Sequence, residues 1–226
     1  MGEQPGEERL RRKAVSFPCG DITLEGVCYF PEGEGVFPAV VLCHPHSLYG
    51  GSMDNNVILA VGSTLVNKST IAFMFNFRGV GGSQGSFGGG VAEQEDVAAA
   101  ISWLACQPEV DAGRMGLVGY SFGAAVALPV AHSDKRVKAV TLISPPLEPS
   151  QMPQLKECAK PKLIVCGTED FVVSLEKAEL MNREAAEPKQ FELVSGADHF
   201  WWGHEVVLAE KVAAFFGGLF GSDSAE

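Results

Sequence analysis

Short, continuous apolar runs alternate along this chain with segments of helical spacing. The runs are typical of strands buried on both faces of a parallel sheet and are predicted at 37–43, 70–75, 115–118, 137–143, 162–165 and 190–193. Between them, apolar residues recur every three or four positions, which predicts helices at 55–66, 91–105, 122–131, 174–184 and 202–216. Two alternating segments, 14–18 and 24–30, precede these elements as a predicted hairpin. This order predicts an α/β fold, with a mostly parallel sheet and helices on both faces.

The length of 226 residues is enough for one large core and short for two. We therefore expect a single domain over residues 14–220, after a polar N-terminal arm at 1–13 and before a disordered tail at 221–226. Between Ser144 and Pro161, five prolines exclude a long helix. Any lid inserted there is expected to be small.

The net charge and the cysteines limit the classes of partner and the cellular compartment that we expect. The formal net charge of −11 repels phosphate backbones and anionic membrane surfaces, so neither nucleic acid nor a membrane is expected as a partner. The six cysteines include no C-x-x-C pair and lie mostly in or beside apolar runs, which favours free, buried thiols. The first 13 residues contain no apolar segment of a signal peptide, and a cytoplasmic location is expected.

The segment Gly119-Tyr120-Ser121-Phe122-Gly123 carries the clearest chemical signal. It follows an apolar run and precedes a helical segment, so the chain turns sharply at Ser121. A serine flanked by glycines at i−2 and i+2 on such a turn is typical of a nucleophile elbow, where close backbone contacts leave room for very small neighbours only. Ser121 is therefore the candidate nucleophile.

A nucleophilic serine needs a base, and five histidines are available. His132 follows Ser121 by eleven residues on the same predicted helix, roughly 16 Å away and out of reach. His44 and His46 precede the serine, whereas on this architecture the order is serine, acid, histidine. His199 lies in the loop between the last strand and the last helix, at the edge of the sheet where such sites form, and is preferred over His204 within the helix.

The acid that orients the base is expected in the loop after the preceding parallel strand, Gly167-Thr168-Glu169-Asp170. Asp170 is the preferred residue. Glu169 is adjacent and chemically capable, so it stays open as an alternative. Asp198 is next to the histidine but on the wrong side of it to support the ring.

Acyl transfer also needs backbone donors for the developing oxyanion. The amide of Phe122, directly after the nucleophile, is one expected donor. The second is expected after the strand that ends at Cys43, and because Pro45 has no N–H, the amide of His46 is chosen. The pair His44 and His46 has no third ligand at a recognisable spacing, so no metal site is predicted.

A glycine cluster at 79–85 follows a predicted strand, as a dinucleotide-binding loop would. A G-x-G-x-x-G motif from Gly79 requires glycine at position 84, where the chain has Gln84, and no helix begins there. No cofactor is therefore expected. Arg78, just before the cluster, is expected to brace the loop by pairing with a carboxylate.

Together these motifs resemble those of the α/β-hydrolase superfamily, in its small, nearly lidless branch close to the dienelactone hydrolases and bacterial serine esterases. The resemblance covers about 37–216 and implies an eight-stranded sheet with one antiparallel strand near its start and a Ser121–Asp170–His199 triad. Dienelactone hydrolases use a cysteine nucleophile, and serine at this elbow argues against their substrate. His44, Tyr120 and Phe200 are expected to contact the substrate.

The expected activity is hydrolysis of small carboxylic esters, with short acyl chains favoured by the small lid. A thioesterase, lactonase or peptidase would use the same triad, and a binding protein that has lost catalysis would keep the fold. A homodimer is possible, since the phenylalanines at 215, 216 and 220 and Leu219 could form a contact patch or complete the core.

Overall fold

The computed structural model describes residues 11–221. Strands and helices alternate in it after an opening hairpin. In chain order they are β1 Arg11–Cys19, β2 Ile22–Phe30, β3 Phe37–Cys43, α1 Asn56–Asn67, β4 Ile71–Phe75, α2 Glu93–Ala105, β5 Val110–Tyr120, α3 Phe122–Ser133, β6 Val137–Ile143, α4 Met152–Glu157, β7 Lys162–Gly167, α5 Leu175–Glu184, β8 Lys189–Val194 and α6 Glu205–Phe220.

The eight strands form one sheet in the order β1-β2-β4-β3-β5-β6-β7-β8. Strand β2 pairs antiparallel with β1 and β4, and all the other pairs are parallel. The predicted eight-stranded, mostly parallel sheet with one antiparallel strand near its start is therefore confirmed. Because β3 and β5 to β8 are parallel, the loops that follow them meet at one edge of the sheet.

Helices cover both faces of the sheet, as predicted. The apolar sides of α1 and α6 pack on one face, in a core that includes the fully buried Trp201. Helices α2, α3, α4 and α5 pack on the other face. The central strands have no solvated side, which explains their continuous apolar sequences.

The N-terminal arm was predicted to end at residue 13, and this boundary is wrong. Strand β1 begins at Arg11, which pairs with Phe30 across the hairpin. The Arg11 guanidinium lies 4.5 Å from the centre of the Phe30 ring and 3.1 Å from a carboxylate oxygen of Glu109. Polar side chains can continue this strand because β1 is at the edge of the sheet, with one side towards solvent. The rest of the arm, residues 1–10, lies outside the described residues.

The final helix begins and ends later than its apolar spacing predicts. Trp201 and Gly203 have φ values of +63° and +78°, which delay the helix until Glu205. At its other end Phe215, Phe216 and Phe220 are buried and complete the core, so they do not form the exposed patch considered above. Of the predicted tail, residues 222–226 lie outside the described part of the chain.

The connection between β6 and β7 is the predicted small lid. It contains a short 3₁₀ turn at Pro149–Gln151 and the six-residue helix α4. All six cysteines are unpaired, and five of them are buried. Across residues 11–221, no helix combines the length and the apolar character that crossing a membrane requires.

Candidate active site

Ser121 lies between the end of β5 and the first residue of α3, with φ of +53° and ψ of −121°. This is strained backbone for a residue with a side chain, and its N–H donates to the carbonyl oxygen of Ile143 at 2.9 Å. A Cβ atom on Gly119 would overlap the Ala124 backbone, and one on Gly123 would overlap the Cys43 carbonyl. The turn thus has the geometry that the Gly-x-Ser-x-Gly pattern indicates.

The structure brings three of the predicted residues into one hydrogen-bonded chain. The Ser121 Oγ atom lies 2.9 Å from His199 Nε2, and His199 Nδ1 lies 3.0 Å from both carboxylate oxygens of Asp170. All three residues are buried. A histidine held in this way can take a proton from serine while the carboxylate stabilises the imidazolium.

The alternative acids and base lie elsewhere. Glu169 is exposed. The carboxylate of Asp198 accepts the N–H groups of Phe200 and Trp201, both at 2.9 Å, and so fixes the turn that carries His199. His204 is the N-cap residue of α6.

The Asp170 carboxylate is held by backbone donors and by a buried serine. Burial by itself would raise the pKa of Asp170, but hydrogen bonds from His199, the Val173 amide and the Ser144 hydroxyl outweigh it and lower the pKa. Ser144 in turn accepts the indole N–H of Trp201 at 3.1 Å. Both residues are fully buried and have positive φ, +43° and +63°. Sequence reasoning did not predict this support, because the two residues lie 57 positions apart along the chain.

We predict that Ser144→Ala lowers kcat about tenfold, with little change in KM, for any reaction in which Ser121 is the nucleophile, because a hydrogen bond to a charged group contributes about 1.5 kcal/mol or more. The lost bond holds the acid and does not touch substrate. Thr141→Val is the matched control, since Thr141 carries a buried hydroxyl on β6 with no hydrogen-bond partner among the described residues. Steady-state kinetics test this, and equal kcat values for the two variants would contradict it.

Tyr120 was predicted to contact substrate, but its hydroxyl is already bonded. It donates to the carbonyl oxygen of His199 at 2.6 Å, and the ring is buried. Burial, with the nearby charges of Asp170 and Asp198, raises the pKa of Tyr120 and keeps the hydroxyl protonated. The ring still lines the cavity next to Ser121, while the hydroxyl positions the loop that carries the candidate base.

His44 is the predicted substrate contact that the structure contradicts. Its ring is fully buried and absent from the cavity wall. Nε2 accepts the N–H of Phe77 at 3.0 Å, and Nδ1 lies 2.6 Å from the Pro45 carbonyl oxygen. Nε2 therefore connects the loop after β3 to the loop after β4, whereas Nδ1 faces a carbonyl group of its own loop. Burial lowers the pKa of His44 from 6.5 to about 4, so the ring is neutral.

His44 should make the stability of the fold sensitive to acid. Unfolded His44 takes up a proton near pH 6.5, whereas the folded chain resists protonation down to about pH 4. Its contribution to stability is thus present above pH 6.5 and is lost as the pH falls to 4, by about 3 kcal/mol. In His44→Gln, the free energy of unfolding should vary less over this range. Urea denaturation at pH 7, 5.5 and 4 measures the difference, and parallel curves for the two proteins would refute the assignment.

His46 and Phe122 both line the cavity with Ser121. Phe122 is the first residue of α3, so its N–H has no acceptor within the helix. The role of the two amides as oxyanion donors stays a prediction. The His46 ring lies 4.7 to 4.9 Å from the rings of Tyr49, Phe87 and Phe122, and its Nδ1 accepts the Leu48 N–H at 3.2 Å.

Arg78 braces its loop, as predicted. Its guanidinium donates to Asp96 at 2.9 and 2.7 Å, and its backbone N–H donates to the same carboxylate at 2.9 Å. Among residues 11–221, there is no group of three or more His, Cys, Asp or Glu side chains that could hold a metal ion.

The cavity that contains Ser121 has a volume of about 1030 Å³. Phe171 and Phe200 line it next to His199, with their rings 6.0 and 6.2 Å from the imidazole. The structure thus places Phe200 in the cavity wall, as expected of a substrate contact. Among the described residues of the lining, Glu148 is the one carboxylate and there is no Lys or Arg. Such a wall favours uncharged, apolar ligands.

Comparison with known proteins agrees with this architecture. The family model of the X-Pro dipeptidyl-peptidases (S15 family) matches residues 20–192. The uncharacterized protein RP471 of Rickettsia prowazekii is 34% identical over 172 residues, which are 73% of this chain and 72% of the relative.

Two solved structures show the same fold. An α/β serine hydrolase homologue from Coxiella burnetii is 32% identical, with a TM-score of 0.82 and coverage of 89% of this chain and 96% of its own. XC6422 of Xanthomonas campestris, an α/β serine hydrolase without a lid, has a TM-score of 0.84 at 24% identity, with coverage of 97% and 99%. These likenesses confirm the resemblance to the α/β-hydrolase superfamily. The chain belongs to the X-Pro dipeptidyl-peptidase (S15) family, and its fold is that of the α/β serine hydrolases.

Proposed function

We propose that this serine hydrolase cleaves carboxylic esters through an acyl-enzyme intermediate. The observation that carries the proposal is the hydrogen-bonded chain Ser121–His199–Asp170 at the wall of an apolar cavity. Serine alone is a weak nucleophile, and the histidine supplies the base that it needs.

In the proposed mechanism, Ser121 Oγ attacks the ester carbonyl carbon while His199 Nε2 takes its proton. The amides of Phe122 and His46 stabilise the resulting oxyanion. His199 then protonates the leaving alcohol, which departs and leaves the acyl group on Ser121. Water attacks this acyl-enzyme with His199 again as base, and the carboxylic acid is released.

The character of the cavity supports an ester substrate over a dipeptide. A dipeptidyl-peptidase has to hold the charged amino group of its substrate, and burying an ammonium group is costly without a partner anion. Glu148, the one carboxylate among the described residues of the lining, is exposed, and its side chain accepts the N–H of Gln151. X-Pro dipeptidyl-peptidase activity is the second candidate, because the family model bears that name.

The small lid led to an expectation of short acyl chains. A cavity of about 1030 Å³ is larger than a short acyl group fills, so its size supports a longer acyl group.

We also propose a cytoplasmic location for the protein, because its six cysteines are all unpaired.

A fluorophosphonate probe and a substrate panel test the proposal together. We expect the probe to label Ser121, as identified by mass spectrometry of the labelled peptide. A p-nitrophenyl ester should be cleaved faster than a thioester, a lactone or an Xaa-Pro p-nitroanilide. No labelling would favour a binding protein without catalysis, and faster cleavage of the anilide would favour the peptidase.

A further inference from the structure

Four residues of α3 form one continuous wall of the cavity. Phe122, Ala125, Val126 and Pro129 all line it, and they recur at the spacing of a single helix face. From the first to the last of them, the helix rises by about 10 Å. The cavity therefore extends from Ser121 along α3 over about this distance, and we call the part of it beside α3 the groove.

The second wall is the loop before α2. Gly90 lies next to Phe122 and Val126, where a Cβ would be 3.3 and 4.0 Å from their side chains. The buried carboxylate of Glu93 fixes this loop, since it accepts the N–H groups of Gly88 at 2.7 Å and Gly90 at 2.8 Å. The position of this loop against α3 is thus fixed by the hydrogen bonds of Glu93 to the backbone.

The third wall belongs to the lid. The Gln151 side chain donates to the carbonyl oxygen of Ala125 at 2.6 Å and so ties the lid to the middle of α3. Two further glutamines, Gln94 and Gln154, also line the cavity. Pro129 is the last residue of α3 in the lining, so the wall that this helix contributes begins at Phe122 and ends at Pro129.

The proposed chemistry decides which half of the substrate occupies this groove. His199 Nε2 protonates the leaving oxygen, so the leaving alcohol has to be on the His199 side, next to Phe171 and Phe200. The acyl group then extends in the other direction, along α3. Three extended residues span roughly 10 Å with nine backbone atoms, so a chain of about eight to ten atoms fits the groove.

We infer that the groove along α3 is an acyl-binding site for an unbranched, uncharged acyl chain of about eight to ten carbon atoms. This inference rests on the proposed esterase function. It replaces the short-chain preference that the small lid suggests, because the length of the site follows from the distance of about 10 Å over which α3 lines the cavity.

A series of p-nitrophenyl esters from acetate to dodecanoate, at concentrations where they remain monomeric, tests the inference. Complete burial of each methylene group contributes about fourfold. We expect kcat/KM to rise at least tenfold from acetate to octanoate and to fall again at dodecanoate, which exceeds the groove. A maximum at acetate or butyrate would overturn the inference and leave the esterase proposal standing. No hydrolysis of any ester would overturn both.

The variant Ala125→Phe fills the groove at its middle, where Ala125 is half-buried and faces the cavity. It should lower the ratio of octanoate to acetate hydrolysis at least tenfold. Ala98→Phe makes the same change on a half-buried position of α2 outside the cavity and should leave the ratio unaltered. An unchanged ratio in Ala125→Phe would contradict the inference. Should this variant not fold, the ester series with the unmodified protein decides alone.

Discussion

Replacing Ser121 by alanine should lower kcat/KM for p-nitrophenyl octanoate by at least about ten-thousand-fold. In the structure, Ser121 Oγ lies 2.9 Å from His199 Nε2. Without this oxygen atom, no acyl-enzyme can form. The remaining rate would come from binding and from backbone donors. The fold should be retained, because alanine keeps the small volume that the turn requires and the Ser121 N–H still donates to Ile143.

Ser63→Ala is the matched control for this experiment. Ser63 is an exposed residue of α1, and its hydroxyl donates within that helix to Ala60 at 3.0 Å. The kcat/KM of the Ser63→Ala variant should equal that of the unmodified protein. Should Ser121→Ala keep a rate within tenfold of this control, the proposed nucleophile would be wrong.

The variant Gly123→Ala should lower the free energy of unfolding by about 3 kcal/mol. Gly123 is the second residue of α3, where alanine would by itself favour the helix. Here the added Cβ would overlap the carbonyl oxygen of Cys43 and lie 2.6 Å from that of His44. These atoms belong to the backbone after β3 and cannot rotate away, so α3 has to move and Ser121 with it. Activity should fall together with stability.

Gly217→Ala is the control, and it should change the free energy of unfolding in the opposite direction. Gly217 is exposed in α6, and a Cβ there would meet no atom within 4 Å. Alanine should therefore stabilise the protein by about 0.5 to 1 kcal/mol through helix propensity. Urea denaturation of both variants measures the difference, and a Gly123→Ala midpoint at or above that of the unmodified protein would show that the close packing at the elbow is not required.

Much of the architecture could be predicted from the sequence because its causes are local. An apolar run buried on both faces predicts a central strand wherever it occurs, and recurrence every three or four residues predicts a helix. The predicted bounds of β3 and β6 agree with the structure, whereas β1 and α6 differ by three or four residues and the central strand β5 begins five residues before its predicted start. The errors at β1 and α6 lie at a sheet edge and at a helix end, where neighbouring strands and left-handed turns decide the limits.

The candidate site also has features that could be predicted from the sequence and features that could not. The elbow glycines are required by the backbone around Ser121, and the loops that carry Asp170 and His199 follow parallel strands, so the chain order alone placed them at one edge of the sheet. The roles of the two histidines after β3 could not be separated. His44 and His46 are two positions apart, yet the ring of His44 is buried against the loop after β4 and the ring of His46 lines the cavity.

The sequence by itself therefore determined the α/β fold and the strained turn at Ser121, and it favoured His199 and Asp170 while leaving Glu169 open as the acid. The tertiary structure alone decided how Asp170 is supported by Ser144 and Trp201, how Tyr120 holds the His199 loop, and how far the groove extends along α3. The physical reason is the distance along the sequence over which each effect acts. Backbone strain and burial patterns act within a few residues, whereas each of these contacts joins segments that are adjacent only after the sheet and its helices have packed.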